Sequence, residues 1–419
     1  MHLFSNIKEF RVSPIRENIL KALDFSFTVN SPREKVMNFL RGLDDIGTGR
    51  VTIIGFGKAA VEMFKGAKEY FGNRVWRSVL IAPGYEINEP ESSVLPGGHP
   101  LPTAESIRSS LKLLESLKGL SEDDLVVALI SGGGSSLFEA LRSGCNLDYF
   151  NSLVSCLMRN GASISEINAI RYICSEVKGG GLLKYTFPAR VLGLIISDVP
   201  GDDVNTVASG PTGAPPSIDS INAVIEKYDR VCRFPNIPYS RDFARSPCRN
   251  HIILRNADFV DAVVTYLMNK GEIAVNVGSG IQDSTQAVAQ VILKRARNEF
   301  RKWKRGLYMV GGGETSTVRV GNAKGGRNLE LCLRVLTLIE DGEKIYFGSF
   351  GTDGIDGSSG AMGALVDNQT LSILGREKIE DFLSRSESLS PLLETHDVLY
   401  TGPTGTNVSD IFIIYYSRE

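Results

Sequence analysis

The sequence predicts an α/β protein of two domains, and three observations carry that prediction. Apolar runs of strand length alternate with stretches of helical period, as in βαβ units laid on a mostly parallel sheet. Glycine-rich polar clusters follow the apolar runs directly; the chain holds 43 glycines in 419 residues, and they are concentrated at these points. Finally, 419 residues exceed what one ordinary core organises, and the aperiodic stretch 232–250, with three prolines, marks a boundary. Residues 1–240 are expected to form the first α/β domain and 241–419 the second.

Taken in order, residues 15–23 and 36–43 carry apolar positions at helical spacing. The short strand 50–54 leads into Gly55, Gly57 and Lys58, then an amphipathic helix to Tyr70. A lysine at a helix start opposes the helix dipole, so an anionic ligand is the expected compensation. A strand at 78–83 precedes a rigid loop holding His99, which reads either as a substrate donor or as a loop residue bonded to backbone; a helix follows from Thr103 to Leu117.

The stretch 125–138, LVVALISGGGSSLF, is the centre of the reading. Its apolar run reads as a strand buried on both faces. Ser131, Gly132, Gly133, Gly134, Ser135 and Ser136 then form a turn whose amides can approach an anion, with a helix expected from about Ser135. It is neither a Walker loop nor a dinucleotide fingerprint. Helices are expected over 147–184, where Arg171 and Lys178 stand two turns apart and either face the anion site or are solvated.

The strand 191–196 ends in Asp198, Asp202 and Asp203, carboxylates suited to Mg²⁺ held between protein and phosphates. Beyond the boundary, 252–254 and 273–277 read as strands and 258–269 and 285–299 as helices. The glycine design returns at 306–316, with Glu314 after three glycines, and again after a strand at 317–320, where Arg327 opens the helix 329–339. Arginine there presents a fork to a phosphate or carboxylate. The strand 345–350 runs into Asp353 and Asp356, a helix is expected near 370–384, and the loop 401–407 with Asn407 precedes a last strand at 411–415. All these loops leave strand ends, which in parallel sheets share one edge. Backbone donors, two placed cations and several acids describe phosphoryl transfer.

Composition narrows the partners. A net charge of −2 supplies no field for nucleic acid or an anionic membrane. The basic run 294–305 reads as a solvated helix end. Six cysteines show no CxxC and no spacing shared with histidine, which argues against structural zinc and a disulfide framework and for buried thiols in the cytoplasm. The start has no signal-peptide pattern, and no apolar run is long enough to span a membrane.

The motifs GFGKAA (55–60), PGGHPLP (96–102), SGGGSS (131–136), INAIR and VKGG (within 167–180), SDVPGDD (197–203), GGGET (311–315), KGGRN (324–328), GTDGIDG (351–357) and TGPTGTN (401–407) occur in this order. With them the chain resembles, over nearly its whole length, the glycerate 2-kinase family of the type with a C-terminal MOFRL domain. The resemblance implies a Rossmann-like first domain, a smaller second domain and an active site in the cleft between them. It implies ATP and Mg²⁺ as the means of phosphorylating D-glycerate on its 2-hydroxyl, by a protein acting as a monomer or homodimer. The family's motif lysine and arginine match Lys58 and Arg327. Departures fall at Thr103, where the family has an acid, at 282–284, where it has a GEA-like triplet, and at Gly181, where a longer polar residue follows VKGG.

Under this reading ATP lies on Gly55, Gly57, Ser131, Gly132, Gly133, Gly134, Ser135, Ser136 and Lys178. His99, Arg171, Glu314 and Asn407 bind the acid substrate, and Asp198 and Asp202 hold Mg²⁺. Lys58 and Arg327 neutralise charge, and Asp198 or Asp353 receives the hydroxyl proton. Two rivals are an NAD(P)H-dependent hydroxypyruvate reductase and a non-catalytic sensor of sugar acids or nucleotides.

Overall fold

The computed structural model describes residues 3–418 apart from 9, 11–12, 45, 48, 85–86, 89–91, 239–243, 319–320 and 322. Contacts divide the chain into two compact units, one of residues 32–254 and the other of residues 1–31 with 255–419.

In the first unit, strands β1 (Val51–Phe56), β2 (Val75–Ile81), β3 (Ile87–Asn88), β4 (Ser92–Leu95), β5 (Leu125–Ile130), β6 (Arg190–Ile196) and β7 (Cys248–Leu254) form one sheet in the order β3-β4-β2-β1-β5-β6-β7. Every neighbouring pair is parallel except β3 with β4. All of β1 and β5 is buried, so both read as unbroken apolar runs rather than alternating ones. The order runs outward from β1 through β2 on one side and from β5 through β6 on the other. The crossover direction therefore reverses between β1 and β5, the place where open α/β sheets bind ligands. Pairing of Phe56 with Ile130, and of Ile130 with Ile195, brings the ends of β1, β5 and β6 level.

Beside this sheet the helices Leu147–Arg159, Ile164–Cys174 and Ile218–Tyr228 share a core that includes Phe150, Leu157, Ile170, Ile173, Ile221 and Tyr228. Each begins at a side-chain cap: Asn146, Ser163 with Glu166 in a capping box, and Ser217. Two disulfides, Cys145–Cys174 and Cys156–Cys232, lie in this region. They overturn the expectation of unpaired thiols, because the pairing is made by helix packing across 29 and 76 residues and leaves no short spacing to read.

The second unit holds β8 (Ala274–Asn276), β9 (Leu307–Gly313), β10 (Glu343–Gly351), β11 (Gly363–Asp367), β12 (Val398–Leu399) and β13 (Asp410–Arg418), in the order β12-β11-β10-β13-β9-β8. Only β8 and β9 pair in parallel; the other neighbours are antiparallel. The loops still meet at one edge, for a reason a parallel sheet does not supply. Strand β13 runs backwards between β9 and β10, so its first residue, Asp410, pairs with both Gly313 and Gly351 at their ends. Val288, Leu307, Leu333, Phe347 and Ile414 belong to the core beneath.

Several expectations about elements change. The strand expected at 252–254 is the end of β7 and belongs to the first sheet. The boundary expected between 240 and 241 falls outside the described residues, and contacts change units at Leu254 and Arg255. The N-terminal helix Pro14–Val29 packs on the helix Asn256–Asn269. Fully buried Arg16 ties it to the second unit, meeting Asp367 at 2.7 Å and Asp397 at 2.8 Å. Residues 317–318 form no strand, and 319–320 of that expected strand lie outside the described residues. The helix expected near 370–384 is two, Asn368–Leu374 and Arg376–Ser384, broken where Gly375 takes φ +75°. Among the described residues no helix is long and apolar enough to cross a membrane.

Candidate active site

In the first unit the turns after β1 and β5 are stitched together at the switch point. Ser131 N donates to Phe56 O (3.2 Å), Lys58 N to Gly132 O (2.9 Å), and Ala59 N to Ser131 Oγ (3.0 Å). Gly57, at φ +125°, has no room for a side chain because a Cβ there would overlap Ser131. Gly133 takes φ +83°, and a Cβ on it would lie 3.3 Å from His99 Cδ2 and 3.4 Å from Lys58 Cγ. Lys58 and His99 therefore lie together over the glycine loop. The amides of Gly132 and Gly133 donate to no group among the described residues.

The loop differs from expectation below this surface. The helix expected from Ser135 is one turn only, Gly134–Leu137, because the chain leaves it to bury Phe138 against Phe56, with rings stacked at 4.4 Å. The turn therefore presents backbone amides rather than the dipole of a long helix. Gly55 is not part of that surface: it lies inside β1, where a Cβ would press on Leu80 and Leu129. Ser136 is buried and its hydroxyl donates to Gly133 O (3.1 Å), so it shapes the turn. Ser135 Oγ meets Ser209 Oγ at 2.9 Å.

Lys178 and Arg171 are placed beneath the loop. Lys178 is fully buried, and its ammonium donates to Gly134 O (3.2 Å), Phe138 O and Ala208 O (3.3 Å). That corrects the expectation of a phosphate contact, since carbonyls already take its donors. Arg171, also buried, donates to Asn168 Oδ1 (3.2 Å) and so belongs to the same support. Glu139 accompanies them; its Oε1 accepts from Ser175 Oγ and from Ala140 N, and its Oε2 accepts no hydrogen bond among the described residues. Burial raises the Glu139 pKa against the pull of Lys178 and Arg171, and burial lowers that of Lys178 against the pull of Glu139.

The carboxylates after β6 are unequal. Asp203 caps its own turn, accepting from Asn205 N (3.0 Å) and Thr206 Oγ1 (3.0 Å). Asp198 is half-buried two residues beyond β6, and Asp202 is half-buried at φ +53°. No group of three or more His, Cys, Asp or Glu able to hold a metal occurs among the described residues. Mg²⁺ commonly takes one or two carboxylates together with phosphate oxygens and water, and the donors on this loop fit a metal brought by phosphates rather than an all-protein cage.

The second unit's edge gathers around Arg327, the first residue of the helix Arg327–Thr337. Its Nε and Nη2 engage both oxygens of Asp410, with Nη2 at 3.0 Å, while Nη1 donates to Glu314 Oε1 at 2.7 Å. Burial opposes the charged guanidinium, but Asp410, Glu314 and Asp356 outweigh it and raise its pKa. Asp356, wholly buried, accepts from the amides of Asn328 (3.1 Å) and Leu329 (3.0 Å) at the helix start. Burial, reinforced by Asp410, pushes its pKa up to about 6. Gly326 must lack a side chain because a Cβ would overlap the Asp356 carboxyl. Gly351 lies against both Asp353 and Asp410: a Cβ on it would be 3.2 Å from one carboxylate and 3.5 Å from the other. Asp353 is half-buried and accepts from Ile355 N (3.1 Å). Asn407 is buried and accepts from Ser409 N (3.3 Å), shaping the turn into β13.

Each unit thus brings together part of what the sequence singled out: Lys58, His99 and Ser131–Ser135 in one, Arg327, Glu314 and Asp353 in the other. Asp410, Ser209 and Glu139 are missed by sequence reasoning, and Asn168 lies in the INAIR motif without being given a role. Asp410 carries a signal of its own, as an acid opening an otherwise apolar strand.

Backbone amides without acceptors among the described residues at a switch point, with a lysine above them and carboxylates at the strand ends, are the equipment of the phosphotransferase class of α/β proteins. Within that class the chain belongs to the glycerate 2-kinase family with a C-terminal MOFRL domain. Residues 307–410 match the MOFRL family, and residues 18–237 match a domain of unknown function, DUF4147. The chain is 35% identical over 425 residues to a glycerate 2-kinase of Picrophilus torridus, covering 99% of this chain and 100% of that one. The crystal structure of a glycerate kinase from Thermotoga maritima superposes with a TM-score of 0.82 at 31% identity, covering 96% of this chain and 99% of that chain. A chain from Agrobacterium vitis, 33% identical over 87% of this chain and 98% of its own, carries a provisional name as a hydroxypyruvate reductase.

Proposed function

We propose that the protein is an ATP-dependent kinase that phosphorylates D-glycerate at its 2-hydroxyl, giving 2-phosphoglycerate and ADP. The observation that carries this reading is the convergence of Lys58 and His99 over Gly133 at the switch point, beside amides that donate to nothing else among the described residues. In the proposed step the 2-hydroxyl oxygen attacks the γ-phosphorus, Asp198 or Asp353 takes the hydroxyl proton, and the bond to the bridging oxygen breaks to release ADP. The amides of Gly132 and Gly133 seat phosphate oxygens, and Lys58 balances charge on the transferring group. Mg²⁺ would be held through Asp198 or Asp202 and would screen the phosphate oxygens. Arg327 serves the same reaction, held in register by Asp410 and exchanging Glu314 for an anionic substrate group.

The reductase reading draws on the name of the Agrobacterium relative. Against it, the turn GFGKAA after β1 has the GxGxxA form, but residues 70–85 hold no acid to take a ribose hydroxyl about 20 residues on, and SGGGSS lacks the turn altogether. Coupled assay of ADP release decides between them. The kinase reading expects release that depends on D-glycerate and no NADH oxidation by hydroxypyruvate. NADH oxidation without glycerate-dependent ADP would overturn it.

A further inference from the structure

Beside the glycine loop, the first unit contains a cavity of about 530 Å³ that the roles above leave unused. Its walls are the helices Ile164–Cys174 and Ile218–Tyr228, which contribute Asn168, Ala169, Tyr172 and Val224, and the segment at Pro215 and Pro216. Its size is that of a small-molecule site, and its lining mixes apolar residues such as Ala169, Pro215, Pro216 and Val224 with polar and charged ones, Asp203 among them. Gly179 closes one side at φ +54°. A Cβ there would lie 2.5 Å from Tyr172 Cδ2 and 3.2 Å from Pro215 Cα, so a side chain would wedge apart two of the walls.

The cavity adjoins the anion seat through Ser209. Its hydroxyl donates to Asn168 Oδ1 (2.8 Å), and both residues line the cavity. The same hydroxyl meets Ser135 of the glycine loop at 2.9 Å. Ala208 and Ser209 both hold positive φ, +52° and +63°, an unfavourable conformation for residues with side chains. Lys178 accepts that geometry's consequence by donating to Ala208 O from below. At the rim, Glu166 meets Lys227 at 2.7 Å, so the cationic group there is already paired.

We propose that this cavity receives the nucleoside end of the nucleotide whose phosphates lie on the glycine loop. The inference rests on the kinase reading and assigns it a base pocket. Proline and aliphatic walls suit the faces of a planar base. A three-carbon acid is a poor occupant: it is small and anionic, whereas Glu166 and Asp203 line the cavity and Lys227 is spent on Glu166.

The test fills the cavity from an exposed position. Ala223 lines it from the exposed side of the helix Ile218–Tyr228, and neighbouring exposed Glu226 does not. Ala223→Trp is therefore compared with Glu226→Trp as control, with Ser165→Trp, from the facing helix, repeating the test if the first variant does not fold. ADP binding is measured by calorimetry, and inhibition by inorganic tripolyphosphate is measured alongside. The expected result is ADP binding weakened about tenfold or more in the cavity variants, with tripolyphosphate inhibition, the KM for D-glycerate and the Glu226→Trp control unchanged. Unaltered ADP binding in a folded cavity variant overturns the pocket, as does a rise confined to the KM for glycerate. Glycerate-dependent ADP release by the unaltered protein reports on the kinase reading alone, so the two failures are separable.

Discussion

Removing the carboxylate of Glu139 tests the support beneath the glycine loop. Glu139→Gln keeps the shape and an acceptor for Ser175 Oγ and Ala140 N, but leaves buried Lys178 and Arg171 without the anion that attracts both. Glu139 offsets both cations without a direct ion pair among the described residues, so the lower end of the about 3–5 kcal/mol cost of leaving a buried charge uncompensated applies, still a large part of the roughly 5–15 kcal/mol that stabilises a domain. The cost has a pH signature. Burial already holds Lys178 at about 8, below its ordinary 10.5, and losing Glu139 lowers it further. A lysine whose folded pKa is depressed carries its full cost below that pKa and is relieved as pH rises toward the unfolded value. At about 1.4 kcal/mol per pKa unit, a 3 kcal/mol loss implies a further fall of about two units. The deficit of the variant should therefore be full at and below about pH 6 and shrink between about pH 6 and pH 8. The chain has two tryptophans, Trp76 in β2 of the first unit and Trp303 in the second. In a Trp303→Phe background, Trp76 fluorescence during urea titration follows the first unit alone. A loss below about 1 kcal/mol, or one equal at both pH values, would refute a buried, charge-balanced support.

Three other outcomes follow from the same geometry. Lys58→Met should lower kcat by about 10³-fold or more, on the scale of lost transition-state charge stabilisation, with unchanged melting; near-normal turnover removes Lys58 from the site. Asp410→Asn frees the Nε side of Arg327 and should lower kcat about 10–100-fold while ADP affinity holds, because Asp410 positions the guanidinium without seating the nucleotide; equal losses in both would make its role structural. The Cys156–Cys232 bond spans 76 residues. Chain-entropy arithmetic gives it about 4–5 kcal/mol at most, so Cys232→Ser should lower the urea midpoint of the Trp76 transition, and an unchanged midpoint would show that it contributes nothing.

The first sheet was legible because strands buried on both faces leave continuous apolar runs, and no tertiary information is needed to see β1, β5 or β6. Lys58 drew notice because a cation at a helix start opposes the dipole, and Arg327 because a guanidinium at a glycine-rich helix start presents a fork to an anion. Lys178 was misread because its sequence neighbourhood looks much the same as theirs. Lysine beside glycines says nothing of side-chain direction, and only the packing of 134–138 against Ala208 turns Lys178 inward. The N-terminal helix announced a buried face through Ile19 and Leu23 but not the surface covering it, which Arg16, Asp367 and Asp397 supply. Asp410 stayed hidden because its pairing with Arg327 depends on β13 entering backwards between β9 and β10. Local periodicity records that β13 is a strand, not its direction or its neighbours.

The central claim is tested most directly by phosphorus NMR of the protein with ATP, Mg²⁺ and D-glycerate, beside a sample with L-glycerate. The account predicts growth of a 2-phosphoglycerate signal with the D isomer only. A 3-phosphoglycerate signal, or ATP left unchanged in both samples, would contradict it.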